Sequence, residues 1–201
     1  MEAAQTTKPT KELITKEAYF KQLERSEHKL EFVDGVIRMM AGGTRNHATI
    51  VDNTVFALRS HQGSCSTKSG ETAVSVSSLN RYYFPDASVV CEEEQYESET
   101  GIALLTNPCL VVEVLSRSTG KMDCTEKFNA YRQIPSFREY LLIDSETLSV
   151  QTFYREANDL WQIRSYWEPG QQVYIRTLDL TLPIEQLYAG VTFPEPDPAA
   201  V

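Results

Sequence analysis

Residues 109–116 read CLVVEVLS, a nearly continuous apolar run interrupted by one carboxylate, Glu113. Short runs of this kind suit a strand covered on both faces, and such a strand needs a sheet with layers on either side. Glu113 breaks the pattern. A desolvated, isolated carboxylate costs several kcal/mol or is forced to neutralise, so it calls for a cation, a metal or a proton. A structural ion pair, or a strand end that reaches water, would meet the same need.

Downstream, Asp123 is expected to open a helix with Glu126 as its capping-box partner, and Pro135 sets where that helix must stop. Cys124, Phe128 and Tyr131 form its apolar stripe, and Lys127 borders that stripe instead of opposing it. A lysine there either snorkels to water or reaches into a carboxylate cluster. Beyond it, REYLLID (138–144), LSVQTFYRE (148–156) and LWQIRSYW (160–167) read as strands, the last two as a hairpin about Asn158-Asp159. A short helical piece follows near PIEQLY (183–188).

Upstream, YYFPDASVVC (82–91) is strand-like, but Pro85 has no N–H to give a ladder, so the strand is expected to be bulged or at an edge there. A bulge would re-aim Asp86, although an ordinary turn also accounts for Pro-Asp. Residues 44–63 predict the main helix, with Ile50, Val51, Val55, Phe56 and Leu58 at helical spacing and Gly63 as C-terminal cap. Asp34-Gly35 between two β-prone runs predicts a hairpin, and Thr15 caps a short helix carrying Ala18, Phe20 and Leu23. This order predicts an α/β or α+β fold, a mixed sheet flanked by helices with an additional C-terminal hairpin region. One domain is expected over residues 13–191, between a polar tail (1–12) and a Pro-rich tail (192–201).

The chain has 201 residues, a formal net charge of -9 and a pI near 4.9, which counts against a protein that coats DNA through a basic face. It leaves room for a nuclease, because a divalent cation supplies positive charge locally. Glu92, Glu93, Glu94, Glu97 and Glu99 read as a solvated loop or helix face. Cys65, Cys91, Cys109 and Cys124 form no CxxC pair, and they are expected to be free thiols in a reducing cytosol. No stretch approaches transmembrane length and the N-terminus lacks an apolar leader, so a cytoplasmic protein without membrane contact is expected. GxSxG, Walker and GxGxxG motifs are all missing.

Two carboxylates and a lysine have a specific use: Mg²⁺ binds through one or two carboxylates plus waters and phosphate oxygens, and a lysine can orient or deprotonate the attacking water. LEFVDGVIRMMAGG (30–43), YYFPDASVV (82–90), VVEVLSRSTGKMDCTEKFNAYR (111–132) and FREYLLID (137–144) closely resemble the bacterial Uma family of restriction-endonuclease-like proteins, within the PD-(D/E)XK nuclease superfamily. The similarity runs from about residue 13 to residue 191. It implies a restriction-endonuclease-like core, with Asp86 and Glu113 as catalytic metal ligands for Mg²⁺ (or Mn²⁺) and Glu31 completing the shell. Glu31 is equally readable as a solvent-facing strand residue. The superfamily places its lysine two residues after the second acid, where this chain has Leu115; the resemblance implies that Lys127, from the following helix, takes that role. It also aligns Ser116 and Asp123 with family positions. Tyr131 reads as a packing residue, and His47 as a structural histidine that could touch a phosphate.

Two functions follow from different classes. One is a Mg²⁺-dependent endonuclease acting on DNA as a homodimer. The other is a nuclease-fold protein without catalysis, acting in nucleic-acid binding or as a homo-oligomeric interaction protein.

Overall fold

The computed structural model describes residues 13–40, 42–61, 63–97, 102–117 and 120–193; the expected tail at 1–12, Glu99 and most of the Pro-rich tail lie outside them. The apolar run CLVVEVLS supplies strand β9, Leu110–Leu115. It pairs in parallel with β10 (Glu139–Asp144) and antiparallel with β6 (Ala87–Val90). With β11 (Val150–Arg155), β12 (Trp161–Tyr166) and β3 (Ser66–Ser69) they form a six-stranded mixed sheet ordered β12-β11-β10-β9-β6-β3.

Both faces of this sheet are covered, which is why β9 does not alternate with polar residues. Leu110, Val112 and Val114 pack with Ile50, Ala57 and Leu58 of helix α2 (Arg45–His61) and with the C-terminal elements. Those elements are β13 (Gln172–Ile175), β14 (Leu180–Pro183) and the short helix α5 (Ile184–Leu187). Val111 points the other way, with Tyr140 and Leu142 of β10.

On that second side lies another six-stranded sheet, ordered β2-β1-β5-β4-β8-β7. Its strands are β1 (Leu30–Val33), β2 (Val36–Met39), β4 (Ala73–Val76), β5 (Arg81–Tyr83), β7 (Tyr96–Glu97) and β8 (Leu104–Leu105). Val33, Val74, Val76 and Tyr83 face the first sheet, sharing a core with Val111, Tyr131 and Tyr140. Leu30, Phe32, Ala73 and Tyr82 face away, under Tyr19, Phe20 and Leu23 of helix α1 (Lys16–Leu23). The α+β class with mixed sheets flanked by a few helices is as expected, except that two large sheets share the work expected of one. The hairpin expected about Asn158-Asp159 is β11–β12, which belongs to the first sheet, and a further hairpin, β13–β14, follows it.

The turn chemistry is where the sequence put it. Asp34 and Gly35 have φ of 52° and 78°, the pair of positive values that a two-residue hairpin turn requires. Thr15 Oγ1 accepts from Ala18 N at 3.2 Å, and Thr44 Oγ1 from His47 N at 3.2 Å.

Several expectations need correction. Pro85 marks neither a bulge nor an edge. β5 ends at Tyr83 in one sheet and β6 begins at Ala87 in the other, so Phe84-Pro85-Asp86 is the crossing between sheets, where no ladder bond is needed. Asp123 does not cap a helix. Helical structure already begins at α3 (Gly120–Met122), passes through a π-turn at Asp123–Lys127, and continues as α4 (Phe128–Tyr131). Asp123 is therefore inside the helix and buried, Glu126 is engaged by Arg38, and Cys124 is exposed instead of belonging to the apolar stripe. The π-turn changes the phase assumed by 3.6-residue counting. Cys65 and Cys91 are not free thiols: they flank the β3–β6 pairing and form a disulfide, leaving Cys109 and Cys124 free among the described residues. The acidic segment is more than a solvated face. Glu94 pairs with Lys68 at 2.6 Å, and Glu97 with Lys16 at 2.7 Å.

Candidate active site

Strand parity builds the site. Glu113 shares a side of β9 with Val111, and Glu31 shares a side of β1 with Val33, so both carboxylates face the layer between the sheets. The π-turn lies in that layer and delivers Asp123 and Lys127 to it. Lys127 Nζ stands 3.0 Å from Glu31 Oε1, 3.1 Å from Glu113 Oε1 and 3.1 Å from Asp123 Oδ1. Only 3% of the lysine side chain is exposed, so this is a desolvated cluster of three acids about one cation.

Its remaining contacts come from the surrounding elements. Tyr131 donates its hydroxyl to Glu113 Oε1 at 3.1 Å, and Phe84 N reaches Glu31 Oε1 at 3.3 Å. Tyr140 donates to the Asp123 carbonyl at 3.0 Å. Asp123 Oδ1, despite its ion-pair distance to Lys127, has no partner in hydrogen-bond geometry among the described residues. Asp86 arrives from the crossing between sheets: its Oδ2 accepts from Val114 N at 2.7 Å and lies 3.5 Å from His47 Nε2, at the first turn of α2.

Burial raises the Glu113 carboxyl well above the usual range; Lys127 opposes that rise, while Asp123, Asp86 and Glu31 add to it. Burial also works against the charge of Lys127, but Glu113, Glu31 and Asp123 outweigh it and hold the ammonium well above its usual pKa. His47 is raised, first by its hydrogen bond to Asp86, with burial opposing.

A cavity of about 590 Å³ opens onto these groups, lined by Asp86, Glu113, Asp123, Lys127, Glu31 and His47 among others. Five Asp and Glu side chains line it against three Lys and Arg. The formal excess equals the charge of one divalent cation. Among the described residues no three His, Cys, Asp or Glu side chains are arranged to hold a metal by themselves. The carboxylates that could contribute are Asp86 and Glu113, with Asp123 Oδ1 already at 3.1 Å from the Lys127 ammonium. This fits a hard cation that keeps waters and takes phosphate oxygens, and it does not fit a closed protein shell.

A family profile described as Uma2, "Putative restriction endonuclease", matches residues 17–185. The chain belongs to this family. A protein of Synechocystis sp. printed as "Uncharacterized protein slr1290" is 30% identical over 182 residues, covering 90% of this chain and 94% of its own. A second Synechocystis protein, "Uncharacterized protein sll1609", is 32% identical over 157 residues, covering 76% and 86%. A solved structure titled as a putative nuclease belonging to DUF820 from Anabaena variabilis superposes with a TM-score of 0.70 at 20% identity, over 88% of this chain and 98% of that one. That likeness is one of fold.

The structure thus gathers Asp86, Glu113, Lys127 and Glu31 at one cavity, and Glu31 is buried, not solvent-facing. Tyr131 both packs and bonds. Ser116 lines the same cavity. His47 reaches Asp86 at the cavity, and Arg38, which the sequence did not single out, lines the cavity and holds Glu126 through two bonds of 2.5 and 3.0 Å. Counting outward from Asp34-Gly35 would have found it, since the hairpin sets Arg38 opposite Glu31. No comparable signal pointed to His47, whose partner Asp86 lies 39 positions away in sequence. Among the described residues no helix is long and apolar enough to cross a membrane.

Proposed function

We propose that this Uma2 member is a Mg²⁺-dependent nuclease that hydrolyses DNA phosphodiester bonds, with Asp86 and Glu113 holding the cation and Lys127 serving the attacking water. The observation that carries the reading is the meeting of those three side chains at one cavity, among five acidic and three basic lining side chains. A bound Mg²⁺ or Mn²⁺ would supply Lewis acidity and lower the pKa of a coordinated water. The chain's own residues do the rest. Lys127, held protonated by its acids, orients a water or the scissile phosphate as a hydrogen-bond donor and does not remove a proton. Glu31, expected to complete the metal shell, is bonded to Lys127 and Phe84 N, so its first task is to aim the lysine. Tyr131 fixes the Glu113 carboxylate from behind. All of these groups come from one chain, so the proposed site does not itself ask for a second copy.

The test is calorimetric titration of Mg²⁺ and Mn²⁺ into the protein and its Glu113→Gln variant, beside an assay for nicking of supercoiled plasmid, whose duplex opens locally under torsion. Metal binding and nicking should both be present in the wild type. In the variant binding should vanish and nicking fall by at least about a hundredfold, since metal stabilisation of the transition state amounts to several kcal/mol. A wild type that binds neither ion sinks the reading. It would then promote the second one, a nuclease fold kept for nucleic-acid binding, which Leu115 at the superfamily's lysine position favours.

A further inference from the structure

We infer that the cavity takes an unpaired nucleotide of a DNA strand, as in single-stranded DNA, a flap or a frayed end, and not a nucleotide still stacked in a continuous duplex. The inference rests on the nuclease reading for the identity of the reacting centre and adds its substrate class.

The first observation is depth. At the mouth, Met39 is 66% exposed, and the Lys29 and Arg38 side chains are 36% and 34% exposed. Further in, Asp86 keeps 17% of its side-chain surface, and on the floor Glu113 and Lys127 keep 4% and 3%. A phosphodiester must reach that floor to meet the carboxylate pair. In a duplex each phosphate is tied to a paired, stacked base and to a second strand, and all of these would have to follow it inward. An extruded or unpaired nucleotide enters alone.

Size and lining agree. A volume of about 590 Å³ belongs to the class of pockets that enclose a small molecule. It suits one nucleotide better than a base pair with both backbones. Its wall includes Met39, Met40 and Met122, polarisable side chains that pack well against aromatic rings. Glu31, Glu113 and Asp123 are the buried acids of the lining, with Asp86 above them, so a base resting on the methionines would leave its phosphate to reach the carboxylates.

Charge is the third observation. Gripping a duplex takes many lysine and arginine contacts with phosphates. Here the chain carries a net charge of -9, and the two cations near the mouth are already engaged, Lys29 with Glu71 at 2.7 Å and Arg38 with Glu126. A site with so little long-range attraction for duplex depends on what it encloses.

The test uses fluorescence anisotropy of the full chain with a labelled oligonucleotide in Ca²⁺, single-stranded or annealed to its complement, followed by cleavage of the same substrates in Mg²⁺ and Mn²⁺. The single strand should bind at least about tenfold tighter than the blunt duplex, since the duplex must first unstack a nucleotide. It should also be cut preferentially, and a flap should be cut within its unpaired part. Met39→Ala, at an exposed position, should weaken single-strand binding several-fold with no change in melting temperature; unchanged binding would overturn the seating of the base. Duplex bound and cut as well as single strand overturns the inference and leaves the nuclease reading standing. Selective single-strand binding without cutting by either metal upholds the inference and sinks the nuclease reading. Failure to bind either form overturns the inference.

Discussion

Glu113 and Glu139 sit on neighbouring strands of one sheet, 3% and 1% exposed, and burial raises the carboxyl of both. They nevertheless do different things. Glu139, on the side of β10 shared by Leu141 and Ile143, accepts from the backbone N–H groups of Arg176 and Thr177 at 3.0 and 2.7 Å. Its partners are fixed dipoles of the main chain, and the result is a clamp that fastens the β13–β14 hairpin to the sheet. Glu113, on the opposite face, is answered by an ammonium, a phenol and a cavity. Backbone N–H groups cannot be displaced without unfolding something, whereas a side-chain ammonium can swing and share its carboxylates with a second cation. A buried acid marks a site by the kind of partner it has, more than by its burial.

The largest effect that would sharpen this contrast is on the cation. Lys127→Ala leaves Glu31, Glu113 and Asp123 together without a counter-charge, and breaking a buried pair in this way costs about 3–5 kcal/mol. Urea unfolding at neutral pH should show that loss. It should shrink as the pH falls, because the acids can then neutralise by protonation. A loss under about 1 kcal/mol at neutral pH, the range of exposed pairs, would mean that the cluster is open to water and that the contrast with Glu139 is one of degree.

Most of the frame of this contrast was legible in the sequence. A carboxylate inside LVVEVL called for a cation, a metal or a proton unless it reached water, and the Asp34-Gly35 turn located β1 while leaving Glu31 open between the site and solvent. Other features were not legible, for physical reasons. The π-turn is invisible to a 3.6-residue count, so Asp123 read as a cap when it is a buried member of the cluster. The passage from one sheet to the other at Pro85 needs knowledge of both sheets, since proline alone reports only a missing donor. Glu139 opens its strand, where an acid draws no notice, and its partners lie nearly forty residues on. The Cys65–Cys91 bond depends on the register of β3 with β6, which spacing does not give.

A smaller effect tests the clamp. Glu139→Gln keeps the shape but replaces one accepting oxygen with an N–H₂ that faces another donor, leaving a buried N–H unmatched. The expected cost is about 1–3 kcal/mol, read as a lower urea midpoint, with metal binding and nicking by the folded protein unchanged. Glu113→Gln should do the converse, losing the proposed metal binding and nicking while removing a buried carboxylate. Were Glu139→Gln to lose activity with its fold intact, the division between clamp and site would be wrong.

The smallest effect is the pH dependence contributed by Glu139. Its carboxyl is raised in the folded protein, chiefly by burial and against the pull of the Arg176 and Thr177 N–H groups. Below the ordinary glutamate range both folded and unfolded chains hold the proton, and the group's contribution is fully present. As the pH rises the unfolded chain ionises first, the folded state binds the extra proton, and stability falls until the folded carboxyl ionises as well. Urea midpoints of the wild type and Glu139→Gln, measured from mildly acidic to neutral pH, should therefore show the wild type's advantage declining as the pH rises. A rising advantage would mean that the two N–H groups outweigh burial and hold the carboxylate below its usual range. In that case Glu139 would be a satisfied anion, and the only acid of the two kept under electrostatic tension would be Glu113.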